Sequence, residues 1–136
     1  NASCAGHVTI GNNVVLGAFA GIHQFSNIGD FSFLGRATKT SQDILPYVIV
    51  AGNPGTPVAV NLIGLKRAGF TLDERKAIKH AYKIIFRDFM KLEQVIEEFE
   101  QTVAANPVLK PMLDMIKISK RGIARHAHSL HTKIED

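Results

Sequence analysis

The sequence predicts a mixed β and α protein: coils of a left-handed parallel β-helix built from hexapeptide repeats over residues 1–57, then a C-terminal α-helical domain over 71–125. Two observations carry this reading. One is a six-residue rhythm in which positions 10, 16, 22, 28 and 34 are Ile, Leu, Ile, Ile and Leu. The other is a switch to helical periodicity after Phe70.

Neither an α-helix nor a flat strand has a period of six, whereas a short strand with a corner, repeated, does. The residue after each aliphatic is Gly11, Gly17, His23, Gly29 or Gly35, and four places after it comes Val14, Ala20, Ser26, Ser32 or Thr38, all small. Cys4 and Val8 fit one hexad earlier. Three hexads make one coil of a prism. The aliphatics then stack inside, the small residues let the corners close, and the glycines are expected to supply permissive backbone there. Ser41-Gln42-Asp43 leads into Ile44-Leu45-Pro46, and Tyr47 to Val50 reads as the last strand. The stretch from Ala51 to Pro57 is dense in turn formers, two of them prolines without an amide donor, and the solenoid is expected to stop there.

Residues 58–70 form a junction to the helices. Thr71-Leu72-Asp73-Glu74 is a capping box, with Thr71 as N-cap and Glu74 reaching back. Ile78, Tyr82, Ile85 and Phe89 then recur on one apolar face, with Lys76, Lys79, Lys83 and Arg87 as a basic stripe opposite. A second amphipathic helix runs through Leu92, Ile96, Phe99 and Val103 and ends before Asn106-Pro107. A third covers 108–119 and stops near Gly122; residues 126–136 read as a mobile tail.

A hydrophobic content of 46% supports a packed interior rather than disorder. No apolar run approaches the length that spans a bilayer, and the N-terminus lacks the basic and apolar regions of a signal peptide. Cys4 stands alone, so no internal disulfide forms, which suits a reducing cytosol. Residue 1 already falls within the repeat, so we expect the C-terminal part of a longer protein. Charge is uneven. Residues 1–61 hold Arg36 and Lys39 against Asp30 and Asp43, so the whole net charge of +4 lies in the second half. Such a local excess points to an anionic partner or a phosphate.

His7 and His23 are 16 residues apart and one coil is 18, so they fall on adjacent coils of the same corner or side. Two surface histidines on a turn explain the spacing as well as a shared cleft does, and a metal site would need a third ligand. Gly6, beside His7, can expose a backbone amide to a developing oxyanion. Gln24 can donate to or accept from a sugar hydroxyl, although on the residues alone a solvated corner side chain is the better account. Lys66 and Arg67 can hold a phosphate, or simply face water. The tail histidines His126, His128 and His131 have metal-like spacing within a segment expected to be disordered.

The segments Ala5-Gly6-His7-Val8 and Ile22-His23-Gln24-Phe25, then Pro46-Tyr47, Gly52-Asn53, Thr56-Pro57, Val60-Asn61 and Gly64-Leu65-Lys66-Arg67-Ala68-Gly69-Phe70, resemble the acyl-(acyl-carrier-protein)–UDP-N-acetylglucosamine O-acyltransferases. The junction motif after Val-Asn is far more specific than the hexads. The resemblance implies a homotrimer in the cytoplasm of a Gram-negative bacterium, with active sites between neighbouring β-helices. It places the Gly6 amide in the oxyanion hole and His7, His23 and Gln24 in the sugar and acyl-donor cleft. Asn61 and Arg67 fall among the residues serving the nucleotide or the carrier-borne donor, and Arg36 where acyl-chain length is gauged. The family's general base, a histidine followed by aspartate ahead of the Ala-Gly-His-Val segment, is absent from this chain. Ile63 stands where relatives can carry an acidic residue, and Ala68 where a second arginine can follow Arg67.

The function expected is therefore the C-terminal portion of an O-acyltransferase. The whole enzyme would move a 3-hydroxyacyl group from acyl carrier protein to the 3-hydroxyl of UDP-N-acetylglucosamine, the first step of lipid A biosynthesis. The basic stripe Lys76, Lys79, Lys83 and Arg87 would dock the acidic carrier. No cofactor, metal or nucleic acid enters this reading. A non-catalytic trimerisation and carrier-docking module and a metal-dependent hexapeptide-repeat enzyme using His7 and His23 are the alternatives.

Overall fold

The computed structural model describes residues 1–86 and 91–125. Seven two-residue strands wind in order: β1 (Ser3–Cys4), β2 (Thr9–Ile10), β3 (Val15–Leu16), β4 (Gly21–Ile22), β5 (Asn27–Ile28), β6 (Phe33–Leu34) and β7 (Lys39–Thr40). They stack as rungs of three parallel sheets, β1–β4–β7, β2–β5 and β3–β6, the last continued by β8 (Val48–Ala51). Ser3 pairs with Gly21 and Gly21 with Lys39, so each coil takes 18 residues. The expected parallel β-helix is there. Ile22, Ile28, Leu34, Ile44 and Val50 are buried along its interior, with Ala20, Ser26, Ser32 and Thr38 buried at the corners.

The glycines do a different job from the one expected. Left-handed backbone falls not on Gly11, Gly17, Gly29 and Gly35 but on His7, Asn13, Phe19, Phe25, Phe31, Ala37 and Tyr47, three places after each interior residue. Those corners place non-glycine residues in a sparsely populated region, held there by the stacking of the coils. Glycine is required where the next coil comes close. A Cβ at Gly29 would lie 2.4 Å from the Pro46 nitrogen, and one at Gly17 2.7 Å from the Arg36 nitrogen.

The third coil is short. Phe33 pairs with Ile49, 16 residues on, and Ile28 bridges Ile44, so the corner after β7 has lost two residues. Beyond β8 the chain turns back as β9 (Thr56–Val60), antiparallel to β8, and the parallel stack ends. Pro54 and Pro57 masked β9 in the sequence; Pro57 is tolerated because β9 is an edge strand.

Helix α1 (Leu62–Arg67) lies inside the expected junction, capped by Asn61. Helix α2 (Leu72–Phe86) starts at the expected capping box. The Thr71 N–H donates to Glu74 Oε1 at 2.9 Å and the Glu74 N–H to Thr71 Oγ1 at 3.1 Å. Helices α3 (Leu92–Ala105) and α4 (Lys110–Ile118) follow, joined by a 3₁₀ turn at Pro107–Leu109. On α3 the fully buried residues are Val95 and Phe99, flanked by half-buried Leu92, Ile96 and Val103. Helices and prism meet at Phe31, Tyr47 and Phe70, where Phe70 packs edge-on to both other rings at 5.1 and 5.8 Å. The Tyr47 hydroxyl donates to the Val108 carbonyl at 2.9 Å. Phe89, Arg87 and the expected tail over 126–136 lie outside the described residues.

Candidate functional site

The corner that leads from β1 to β2, and from β4 to β5 one coil later, gathers four of the residues singled out above. Gly6 and His7 occupy it on the first coil; His23 and Gln24 approach it on the second, followed by Phe25. The Phe25 N–H donates to the Gly6 carbonyl at 3.1 Å, tying the two coils. His7 and Phe25, both left-handed, stack their rings 4.9 Å apart with planes 2° from parallel. All five residues are exposed.

Gly6 differs from the other coil glycines. A Cβ there would meet nothing within 4 Å, so packing within the chain does not demand glycine. Its N–H has no hydrogen-bond partner among the described residues. A free amide beside an imidazole can stabilise a developing oxyanion. Beside the corner runs a groove of about 500 Å³ lined by Cys4, Ile22, His23, Lys39, Ser41 and Asn53, among others.

His23 has a partner that sequence reasoning missed. Arg121 Nη2 lies 3.0 Å from His23 Nδ1, while Arg121 Nε donates to the Ser41 carbonyl at 2.7 Å. Ninety-eight residues separate the pair, and the segment after α4 has no periodicity that could have announced the contact.

The remaining residues lie elsewhere on the prism. Asn61 Nδ2 donates to the Phe31 carbonyl at 2.9 Å and Asn61 Oδ1 accepts from the Gly64 N–H at 3.2 Å, which places Asn61 against the next edge as the cap of α1. Arg67 is exposed in the last turn of α1. Arg36 sits on the third edge with its guanidinium carbon 6.0 Å from the Phe19 ring centroid. Within one chain, then, the residues expected at the site occupy three edges.

Lys76, Lys79 and Lys83 are exposed on α2 and form no ion pair among the described residues; Arg87 lies outside them. An apolar groove of about 350 Å³ runs beside them, lined by Leu62, Ile63 and Leu72 with Lys66, Arg75, Lys76 and Lys79. No group of three or more His, Cys, Asp or Glu comes together among the described residues, so His7 and His23 gain no third ligand there. No helix among them is long and apolar enough to cross a membrane.

Residues 43–124 match the sequence model of UDP N-acetylglucosamine O-acyltransferase, domain 2. The chain belongs to the UDP-N-acetylglucosamine O-acyltransferase family. Among proteins of that name, the acyl-(acyl-carrier-protein)–UDP-N-acetylglucosamine O-acyltransferase of Aliivibrio salmonicida is 42% identical over 125 residues, covering 92% of this chain and 48% of that protein. The protein of the same name from Burkholderia mallei (strain SAVP1) is 39% identical over 129 residues, covering 92% and 49%. The crystal structure of Francisella novicida UDP-N-acetylglucosamine acyltransferase superposes with a TM-score of 0.90 at 35% identity, over 95% of this chain and 48% of that one. That match supports the β-helix expected from the hexads. The chain spans about half the length of the curated acyltransferases it matches.

Proposed function

We propose that this chain is the C-terminal portion of an O-acyltransferase that moves a 3-hydroxyacyl group from the thioester of acyl carrier protein to the 3-hydroxyl of UDP-N-acetylglucosamine, the first step of lipid A biosynthesis. The observation that carries the reading is the unpartnered Gly6 amide at the corner of His7, His23, Gln24 and Phe25. A histidine base, supplied by residues this chain does not contain, removes the sugar hydroxyl proton. The oxygen attacks the thioester carbonyl, the Gly6 N–H receives the oxyanion, and collapse of the tetrahedral intermediate expels the carrier thiol.

A homotrimer fits the scatter of the remaining residues. Asn61 and Arg36 lie on edges away from the histidine corner and Arg67 on α1, and packing three prisms edge to edge brings residues of one chain to the corner of the next. There Asn61 and Arg67 serve the nucleotide or the carrier-borne donor, and Arg36 limits the acyl chain. The helices over 71–125 act as a C-terminal domain whose Lys76, Lys79, Lys83 and Arg87 dock the acidic carrier in the cytoplasm of a Gram-negative bacterium. The basic-rimmed apolar groove between α1 and α2 also favours a second reading, a carrier-docking and trimerisation module without chemistry of its own.

Transfer assays separate the two readings. The full-length protein should acylate UDP-N-acetylglucosamine, the 136-residue chain should not, and His23→Ala in the full-length protein should slow transfer without dissociating the trimer. Carrier binding without any transfer by the full-length protein would favour the module. Unchanged kinetics in His23→Ala would remove His23 from the site.

A further inference from the structure

After α4 the chain returns to the β-helix. The Ser119 hydroxyl donates to Asp43 Oδ2 at 2.6 Å, the Asp43 N–H donates to the Gly122 carbonyl at 3.0 Å, and the Ala124 N–H donates to the Asp43 carbonyl at 2.8 Å. Asp43 and Ile123 thereby form a parallel bridge beside the Ile44 that itself bridges β5. Asp43 is 1% exposed, and its Oδ1 accepts from the Asn27 N–H at 2.7 Å, so the anchor is held from both sides. Gly122, at φ +85°, supplies the left-handed turn that brings the chain from the helix end onto the coil.

This return ends at the corner after β7, the one that is two residues short. There the Ser41 carbonyl takes one arm of Arg121 and His23 Nδ1 takes the other. A guanidinium offers five N–H donors and no acceptor. A contact of 3.0 Å with a ring nitrogen is attractive only when that nitrogen presents its lone pair. A proton on Nδ1 would set donor against donor. The competing partner of Nδ1 is the Gln24 carbonyl at 3.3 Å, which requires that proton. The Arg121 contact is the shorter of the two and charge-assisted, so it prevails.

We propose that Arg121 is a positioning residue for His23, selecting the tautomer with its proton on Nε2. The ring nitrogen that Arg121 does not engage is then a hydrogen-bond donor. In the acyl-transfer reading, on which this consequence rests, His23 offers a donor to a substrate oxygen and does not take up the proton of the attacking hydroxyl.

Nitrogen NMR of the full-length protein with labelled histidines reads the tautomer directly, near pH 8, above the ordinary histidine range. The His23 signals are assigned by their loss in His23→Gln. Nδ1 should be unprotonated and Nε2 protonated in the parent, and Arg121→Ala should shift the ring toward the Nδ1–H form with the Gln24 carbonyl as acceptor. Arg121→Lys, which keeps the charge but not the two-armed fork, should shift it the same way. A protonated Nδ1 in the parent overturns the proposal even where neither variant folds, as does an unchanged tautomer in folded Arg121→Ala. In transfer assays Arg121→Ala should lower kcat roughly two- to tenfold, the worth of one neutral hydrogen bond, with a smaller change in donor KM; an unchanged kcat also overturns it. Absence of transfer by the parent would remove the acyltransferase reading and leave the tautomer measurement standing.

Discussion

The imidazole of His7 lies flat against the phenyl ring of Phe25, one coil further along, with 4.9 Å between centroids. Both residues hold left-handed backbone at the same corner, which aims both side chains outward in register. A ring that would otherwise rotate in solvent is thus oriented by a neighbour on the next rung. Phe25→Ala removes that neighbour. An aromatic pair is worth about 0.5–1.5 kcal/mol, so the melting temperature should fall little while His7 loses its fixed orientation. The expected outcome is slower transfer by the full-length protein with the fold intact, read from steady-state kinetics beside a thermal melt.

Gly29 and Gly35 occupy equivalent hexad positions but face different neighbours. A Cβ on Gly29 would strike Pro46 backbone at 2.4 Å, whereas one on Gly35 would meet its nearest neighbour at 3.6 Å. Gly29→Ala should therefore lower stability by about 1–3 kcal/mol, the usual cost of overpacking, and Gly35→Ala should be nearly neutral. Denaturant unfolding of the two variants compares them. Equal losses would show that conformational freedom, and not the approach of the next coil, requires glycine in the hexads.

Burial, with smaller contributions from Asp30 and Glu74, pushes the Tyr47 hydroxyl up to about 12, from its ordinary value of 10.0. The folded state keeps this proton longer than the unfolded chain does. The resulting stabilisation is fully present below pH 10 and is lost as pH rises toward about 12. Tyr47→Phe should remove this part of the pH dependence. At neutral pH it should cost about 1 kcal/mol, since the Val108 carbonyl loses its donor. Unfolding curves from pH 7 to 11 on both proteins measure this.

Lys76 and Lys79 stand beside the apolar groove of Leu62, Ile63 and Leu72 without an acidic partner among the described residues. Reversing both to Glu should raise KM for the carrier-borne donor roughly two- to fivefold, as expected for exposed charge pairs, and leave UDP-sugar binding unchanged. Added salt should weaken the parent's donor affinity and flatten the difference between parent and variant, since the Debye length is about 8 Å at physiological ionic strength. An equal effect on both substrates would mark the stripe as a solvated helix face.

The β-helix was legible because its signal is redundant: Ile22, Ile28 and Leu34 each repeat the same instruction, and one-residue errors are outvoted by the next coil. The capping box at Thr71 was legible because it is local, two hydrogen bonds across three residues. What escaped was either short or distant. Strand β9 contains Pro57, and helix α1 has six residues with Gly64 inside, so neither has a period long enough to read. Val95 does not stand out on α3 because Leu92, Ile96, Phe99 and Val103 form an equally regular stripe, and only the packing of α4 decides which side is deepest. At the candidate site, the placing of His7 and His23 on adjacent coils of one corner followed from the coil length. The hold of Arg121 on His23 did not, because it depends on where the chain lands after three helices have packed.

Asp43 and Ser119 are 76 residues apart, and their contact sets a clock. At a synthesis rate of about 5–20 residues per second, the carboxylate leaves the ribosome roughly 4–15 s before the hydroxyl that closes on it. Through that interval the coils can stack and the helices can form, yet His23 has no guanidinium beside it. A product stalled before Arg121 can therefore stack its coils while the His23 ring still lacks the contact that orients it.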